Sequence, residues 1–315
     1  MKRSCVNGLI TIPNLSYSAV LTVFNAEHTV GRAIQSILDQ TLLAAEIFVI
    51  DDNSQDNSCQ VIRAFAEGEP RISLIENKRN LGQAENRNTG VASSKSDFVV
   101  FFDDDDKSQP GRVLEHSKMF ELGATISFVS SVIDYKNGYS VSAHNSDYSG
   151  TLDFQKFTRK LLLGEGDNNY TNLAVPASTL AVLTEEFKSV GGFDPKLRRL
   201  EDVDLALKYA QSREVFGFSS APLVIRYSTL STAKGRGIDM KFEALLLDRY
   251  RDQFSDSEFV YALKHCRTRQ LYFSKKMLRL SLHLLIHPIY ACKLLLKPRS
   301  YTRRLIHDYR RKRNK

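Results

Sequence analysis

The sequence predicts an α/β protein with a mostly parallel central sheet flanked by helices, followed by a C-terminal helical basic tail. Three observations predict it. The first hundred residues alternate continuous apolar runs with segments of helical spacing, the rhythm of a parallel sheet covered on both faces. Asn25, Asp52 and Asp103 each stand directly after an apolar run, where open α/β sheets bind ligands beyond their strand ends. From Val260 to Lys315 there are 16 Lys or Arg and one acidic residue, against 28 basic and 35 acidic residues before Val260.

The elements follow in order. Tyr17–Phe24 (YSAVLTVF) reads as a buried strand, and Val30–Gln40 as a helix turning Ile34, Ile37 and Leu38 inward. Glu46–Ile50 is the next strand, ending in Asp51 and Asp52. Val61–Phe65 suggests a helix, Ile72–Ile75 a strand and Gln83–Ala92 a helix. Phe98–Phe102 (FVVFF) is a continuous apolar run that stops at four aspartates, and Pro110 precedes a helix over Arg112–Glu121. Further on, Ile126–Val132 reads as a strand, Phe154–Leu163 as a helix and Leu173–Leu183 as extended. The Gly191-Gly192 turn leads to a helix from about Asp202 to Gln211. A boundary near Phe254–Glu258 separates a domain over residues 1–254 from a tail over residues 255–315.

At 315 residues the chain can hold one large domain with an appended module. Cys5, Cys59, Cys266 and Cys292 lie far apart with no Cys-x-x-Cys pair, which points to reduced thiols rather than a disulfide framework or a structural zinc site. Lys2 and Arg3 give a basic start, but Asn7, Pro13 and Asn14 interrupt the apolar run that a secretory signal needs. No stretch of about 20 uninterrupted apolar residues suggests a spanning helix. The expected location is cytoplasmic, on the inner face of the plasma membrane. The basic tail supplies the reason: Met277, Leu278, Leu280, Leu282, Leu284, Leu285 and Ile286 are interleaved with Lys275, Lys276 and Arg279. Such a segment suits an anionic membrane surface, each near-surface cation contributing about 1 kcal/mol. The other reading is that these leucines pack onto the body. Nucleic acid is disfavoured as a partner, since no recognition fold accompanies the basic stretch.

Four polar clusters could carry chemistry. Asp103-Asp104-Asp105-Asp106 repel one another unless a cation or solvent relieves them, and oxygen ligands after a strand suit Mg²⁺ or Mn²⁺. A solvated acidic loop would share that composition. Asp52 could accept hydrogen bonds from a base or ribose, or cap the next helix through an Asx turn. Arg87 could reach a diphosphate, position the aspartates, or sit on a solvated helix face. Glu201-Asp202-Val203-Asp204 offers a general base, although acidic residues also favour any helix N-terminus. No G-x-G-x-x-G, Walker loop, G-x-S-x-G or His-Glu-x-x-His motif occurs.

Taken together, six segments resemble the family 2 glycosyltransferases of GT-A fold: Thr22–Glu27, Ile34–Thr41, Val49–Asp56, Asn80–Gly90, Phe102–Asp106 with Pro110 and Arg112, and Gly191–Asp194 leading to Glu201–Asp204. They span roughly Tyr17 to Ser231, with a nucleotide-sugar half over about 17–122 and an acceptor half over about 123–254. The resemblance implies a metal-dependent, inverting, hexosyltransferase-type enzyme moving a single sugar from a nucleotide-diphosphate sugar, expected to be a UDP-sugar, to a glycan or lipid-linked acceptor. It implies that Thr22 and Asp52 hold the nucleobase with Phe24 packed on it, and that Asn25, Glu27 and Glu201 also line the substrate site. Asp103 and Asp105 would form the Asp-x-Asp metal element, with Asp104 near the ribose and Arg87 at the diphosphate. Asp202 would be the catalytic base. Phe24 stands where the family often has tyrosine, and the four-aspartate run leaves the Asp-x-Asp register ambiguous by one. The chain has no Trp and no Gln-x-x-Arg-Trp, the motif of processive synthases, so single transfer is expected. A metal-dependent nucleotidyltransferase and an inactive sugar-nucleotide-binding scaffold are the rival readings.

Overall fold

The computed structural model describes residues 15–135, 139–143, 145–163, 172–227, 239–273 and 277–287. The chain separates into two compact units, Met1–Phe154 with Asn169–Leu230, and Gln155–Asn168 with Ser231–Lys315.

The first unit carries the sheet. Its strands are β1 (Tyr17–Val23), β2 (Glu46–Asp51), β3 (Ile72–Glu76), β4 (Phe98–Asp103), β5 (Asp106–Ser108), β6 (Ile126–Tyr135), β7 (Tyr139–Ala143), β8 (Tyr148–Thr151), β9 (Leu180–Leu183) and β10 (Val215–Tyr227). Among the described residues they form one sheet in the order β3-β2-β1-β4-β9-β6-β10-β5, with β7 on β6 and β8 on β10. The helices are α1 (Val30–Leu38), α2 (Ser58–Gly68), α3 (Gln83–Ser93), α4 (Arg112–Glu121), α5 (Phe154–Thr158), α6 (Thr184–Ser189) and α7 (Glu201–Gln211), of which α5 runs across the boundary between the units.

The apolar runs become strands because both faces of the sheet are covered. Every residue of β1 is buried, and Phe98–Phe102 of β4 are at most 3% exposed. A fully buried Val, Leu, Ile or Phe side chain is worth about 1.5–3 kcal/mol, so these two strands anchor the core. The helix α1 contributes Val30, Ala33, Ile34 and Ile37 from one face, with Leu38 partly buried against the same cluster. Across the sheet α3 lies very close to β1. A Cβ placed on Gly90 would stand 2.5 Å from Val20 Cγ1, so only a residue without a side chain permits this approach.

The expected parallel register holds through β3-β2-β1-β4. Beyond β4 the sheet becomes mixed: β9 runs antiparallel to both β4 and β6, β10 runs parallel to β6, and β5 returns antiparallel on β10. The segment expected to be extended over Leu173–Leu183 instead makes a 3₁₀ turn at Ala177–Thr179 before entering β9. Phe154–Leu163 begins as α5 and ends in a π turn at Arg159–Leu163. In the parallel half, Thr22 is level with both Ile50 and Asp103, and Val23 with Asp51. Three strands therefore end at one height and send their loops to one edge.

The second unit contains α8 (Asp239–Arg249), α9 (Asp256–Phe273) and α10 (Met277–Ile286), with α9 in contact with both others. The helices on either side of residue 254 thus belong to the same unit. The end of α10 falls just before His287-Pro288, as the ring of a proline restricts the residue ahead of it. Leu280 is buried, while Leu282, Leu285 and Ile286 are exposed. No helix among the described residues is long and apolar enough to cross a membrane. The readings at Lys2, Arg3, Cys5, Lys275, Lys276 and Cys292 lie outside the described residues.

Candidate active site

The strand-end loops are tied to one another by their own polar side chains. Asp52, after β2, is 4% exposed. Its Oδ1 accepts the Leu81 N–H at 2.7 Å and its Oδ2 the Gly82 N–H at 2.9 Å, with Asn77 Nδ2 at 3.3 Å. The loop leading into α3 therefore hangs on one carboxylate, and Gly82 takes a φ of 90° to present its N–H. Asn25, in the left-handed region at φ 50°, receives the Gln55 N–H on Oδ1 and donates its own N–H to Ser54 Oγ. Glu27 accepts both Asn57 N–H and Asn57 Nδ2 on Oε2. Asp104 accepts the Phe24 N–H at 2.9 Å, joining the ends of β1 and β4, while the Phe24 ring is 47% exposed. Thr22 is different: its hydroxyl is buried and has no hydrogen-bond partner among the described residues.

The acidic run is a metal-capable group. Asp103, Asp105 and Asp106 each offer one carboxylate oxygen, and these oxygens lie within 4.8 Å of one another. Asp106 belongs to this group although the Asp-x-Asp reading used only Asp103 and Asp105. It is the first residue of β5, opposite Arg226 of β10, and its carboxylate lies 4.0 Å from Arg226 Nε. Burial and the neighbouring charges of Asp103 and Asp105 push its carboxyl up to about 8, with Arg226 acting in the other direction. Its Oδ2 accepts no hydrogen bond among the described residues. Three hard oxygen donors, one of them unsatisfied and repelled by its neighbours, fit Mg²⁺ or Mn²⁺.

Two buried arginines and one partly exposed arginine hold this run in place. Arg112, 1% exposed, donates to Phe101 O at 2.8 Å and Ser108 Oγ at 2.9 Å, bracketing the aspartates from both sides. Burial lowers its pKa to about 10 despite Asp106 and Asp103. Arg32 donates to the Asp105 carbonyl at 2.7 Å and lies 4.1 Å over the Tyr227 ring. Arg87, 1% exposed, donates from Nη2 to Asp103 Oδ1 at 2.9 Å and from Nη1 to Glu201 Oε1 at 2.8 Å. Burial opposes its charge, but Asp103 and Glu201 more than offset that and raise its pKa.

Through Arg87 the site reaches α7. Asn88, the next residue, exchanges two hydrogen bonds with Phe193, Nδ2 to O at 2.8 Å and N–H to Oδ1 at 3.0 Å, which secures the Gly191-Gly192 turn against α3. Leu200 at φ 64° then turns the chain into α7, whose first residues are Glu201 and Asp202. Asp202 Oδ1 accepts the Val203 N–H at 2.8 Å, and Oδ2 the Ala177 N–H at 3.3 Å from the 3₁₀ turn. Burial and the charge of Glu201 push the Asp202 carboxyl up to about 7, with Arg87 drawing it down. A carboxyl poised near neutrality suits proton transfer at the pH of a cell. Arg32 and Arg226 were not singled out from sequence, whereas Asp106 was named only as part of the aspartate run and Arg112 only as part of a resembling segment, neither with a role of its own.

The sequence profile described as "Glycosyl transferase family 2" matches residues 18–178. The chain is similar to UDP-Glc:alpha-D-GlcNAc-diphosphoundecaprenol beta-1,3-glucosyltransferase WfgD of Escherichia coli, with 34% identity over 146 residues, 46% of this chain and 54% of that protein. It is similar to succinoglycan biosynthesis protein ExoU of Rhizobium meliloti, with 38% identity over 94 residues, 30% of this chain and 27% of that protein. The matched segments thus span about half of the first relative's length and about a quarter of the second's. Among solved structures, S. aureus TarS 1–349 in complex with UDP-GlcNAc superposes with a TM-score of 0.59 at 16% identity, covering 82% of this chain and 73% of that one. At that identity the likeness establishes the mixed α/β fold.

Proposed function

The chain belongs to glycosyl transferase family 2, and on that premise we propose that it moves one sugar from a UDP-sugar to an acceptor hydroxyl with inversion at the anomeric carbon. The acceptor in this reading is a lipid-linked glycan in surface polysaccharide synthesis. The observation that carries the proposal is the chain of contacts Asp103–Arg87–Glu201, which joins a metal-capable acid cluster to the helix bearing a carboxyl held near neutrality. Similarity to WfgD, a UDP-Glc:alpha-D-GlcNAc-diphosphoundecaprenol glucosyltransferase, supports a UDP donor and a lipid diphosphate acceptor, and similarity to the succinoglycan biosynthesis protein ExoU supports a polysaccharide role.

The residues divide the work. Thr22 Oγ1 and the loop hung from Asp52 would receive the nucleobase, with the exposed Phe24 ring against it and Asp104 at the ribose. Asn25 and Glu27 would shape that floor by fixing the loop after β2. Asp105, with Asp103 and Asp106, would hold Mn²⁺ or Mg²⁺, which when bound supplies positive charge against the departing nucleoside diphosphate. Asp202 would take the proton from the acceptor hydroxyl as its oxygen bonds to the anomeric carbon and the bond to the diphosphate breaks. The exposed Leu282, Leu285 and Ile286 of α10, in a segment rich in Lys and Arg, support peripheral association with the cytoplasmic face of the membrane.

The test is nucleotide release by the purified protein from a panel of UDP-, GDP- and dTDP-sugars, with Mn²⁺ or with chelator. The expected result is metal-dependent release of UDP from one donor, lost in Asp105→Ala. Release of pyrophosphate would identify a nucleotidyltransferase, and binding without turnover that survives Asp202→Asn would identify a scaffold.

A further inference from the structure

We infer that Arg87 is a positioning residue that couples the acid cluster after β4 to the base-bearing start of α7, so that cation binding at the one depends on Glu201 at the other. The inference rests on the roles proposed above for Asp103 and Asp202. Arg87 is among the largest fully buried side chains in the protein. A buried guanidinium is tolerated when its charge is paired, and here both pairs are made by the η nitrogens, since Nε has no hydrogen-bond partner among the described residues. Here two η nitrogens serve two different elements, Nη2 the end of β4 through Asp103 and Nη1 the first residue of α7 through Glu201. The planar fork fixes the separation of its two partners, which a point charge on a flexible stem cannot do.

The stretch of α3 that carries Arg87 is held in place by its neighbours, so both ion pairs are made from one fixed point on the helix. Asn86 Oδ1 accepts from Asn77 Nδ2 at 2.7 Å, Asn88 is doubly bonded to Phe193, and Gly90 lies against Val20. The charge of Asp103 is therefore divided between Arg87 and whatever cation enters the cluster. Glu201 holds part of the Arg87 charge away from Asp103. If the Glu201 charge is removed, the guanidinium pairs with Asp103 alone, and an entering cation meets an acid already neutralised. Such linkage is reciprocal, so a cation at the cluster also changes the field at Glu201 and its neighbour Asp202.

The experiment is calorimetric titration of the full chain with Mn²⁺ alone, in wild type, Glu201→Gln, Arg87→Lys and the double variant, with Arg87→Gln as a second background. Melting curves confirm that each variant is folded. Glu201→Gln should weaken Mn²⁺ binding about fivefold when Arg87 is present, within the usual range of coupled sites. In either Arg87 background the same substitution should change binding by less than about twofold, since only the direct field of Glu201 then remains. Equal effects in all backgrounds, no effect in any, or a wild type that does not bind Mn²⁺ overturn the inference. Failure of both Arg87 variants to fold assigns the residue to stability alone and overturns it too. Donor turnover is measured separately. Coupling without turnover of any nucleotide sugar sinks the transferase reading and leaves the role of Arg87 standing, and turnover without coupling does the reverse.

Discussion

Two groups of carboxylates share one edge of this sheet, and their surroundings are opposite. Asp52 and Asp106 are both nearly buried, at 4% and 8% exposure. Asp52 has each oxygen on a backbone N–H, whereas Asp106 Oδ2 accepts no backbone N–H among the described residues, and burial with Asp103 and Asp105 pushes its carboxyl up to about 8 against the pull of Arg226 and Ser178. Asp56 belongs with Asp52: burial works against its charge, but the Ser58 hydroxyl and the N–H groups of Glu27 and Ser58 more than offset that and lower its pKa. Asp202 belongs with Asp106 in its elevation, raised to about 7 by burial and Glu201 although it accepts the Val203 and Ala177 N–H groups. The difference teaches that what sets the raised acids apart is the like charge beside them, Asp103 and Asp105 for Asp106 and Glu201 for Asp202, rather than a lack of N–H donors. The first group gives stability, and the second costs it.

The largest expected effect tests the second group. Asp202→Asn should lower kcat by about 10²–10⁴, the usual contribution of a positioned base. Its melting temperature relative to wild type should be higher at pH 8 than at pH 4, because a carboxyl whose folded pKa lies above its unfolded one stabilises the fold only while protonated. That stabilisation is complete below the ordinary carboxylate range and is lost as pH rises through about 7. A difference from wild type that is the same at pH 4 and at pH 8 would move Asp202 into the building group. The pH profile of the wild type carries the same logic at smaller amplitude. Activity should drop about tenfold per unit below pH about 7 as the base protonates, and Glu201→Gln should shift that limb to lower pH, because Glu201 is one cause of the elevation.

The building group predicts the reverse pattern. Asp52→Asn replaces an acceptor by an amide N–H₂ that faces an N–H donor, at a cost of about 1–3 kcal/mol, seen as a melting temperature several degrees lower. If stability is unchanged and only UDP affinity falls, Asp52 is a ligand contact rather than a strut. Glu27→Ala gives the smallest effect, about 1 kcal/mol in chemical denaturation, from the two lost Asn57 contacts at a partly exposed site.

The parallel half of the fold was legible because its strands are continuous apolar runs bounded by polar loops, and FVVFF ending in aspartates fixed one strand end almost to the residue. What escaped has a physical cause in each case. β5 is Asp106-Lys107-Ser108, three residues with no apolar pattern, formed because β10 offers it partners more than a hundred positions away. β10 itself contains Pro222 and shifts register between Phe218 and Val224, which breaks the alternation by which a strand is read. The site followed the same division. The aspartate run and the Glu201-Asp202 pair were visible locally. The environment of Arg87 was not, since a charge on a helix reads as solvated until α7 arrives to cover it. Likewise Asp106 is set apart from its neighbours by Arg226, a contact that no local window contains.

Gly90 gives the last lesson, one of mechanical tolerance. It acts as a spacer of zero thickness between α3 and β1, and Arg87 rides on the same helix less than one turn earlier. A single methyl group at that point, in Gly90→Ala, would have to lift the helix off Val20. Arg87 would then be carried away from Asp103 and Glu201 together. Misplacement of a catalytic array by about 1 Å can cost a hundredfold in rate. The alignment of this site is therefore set partly by an absent side chain three residues further along the helix, a position that touches neither acid.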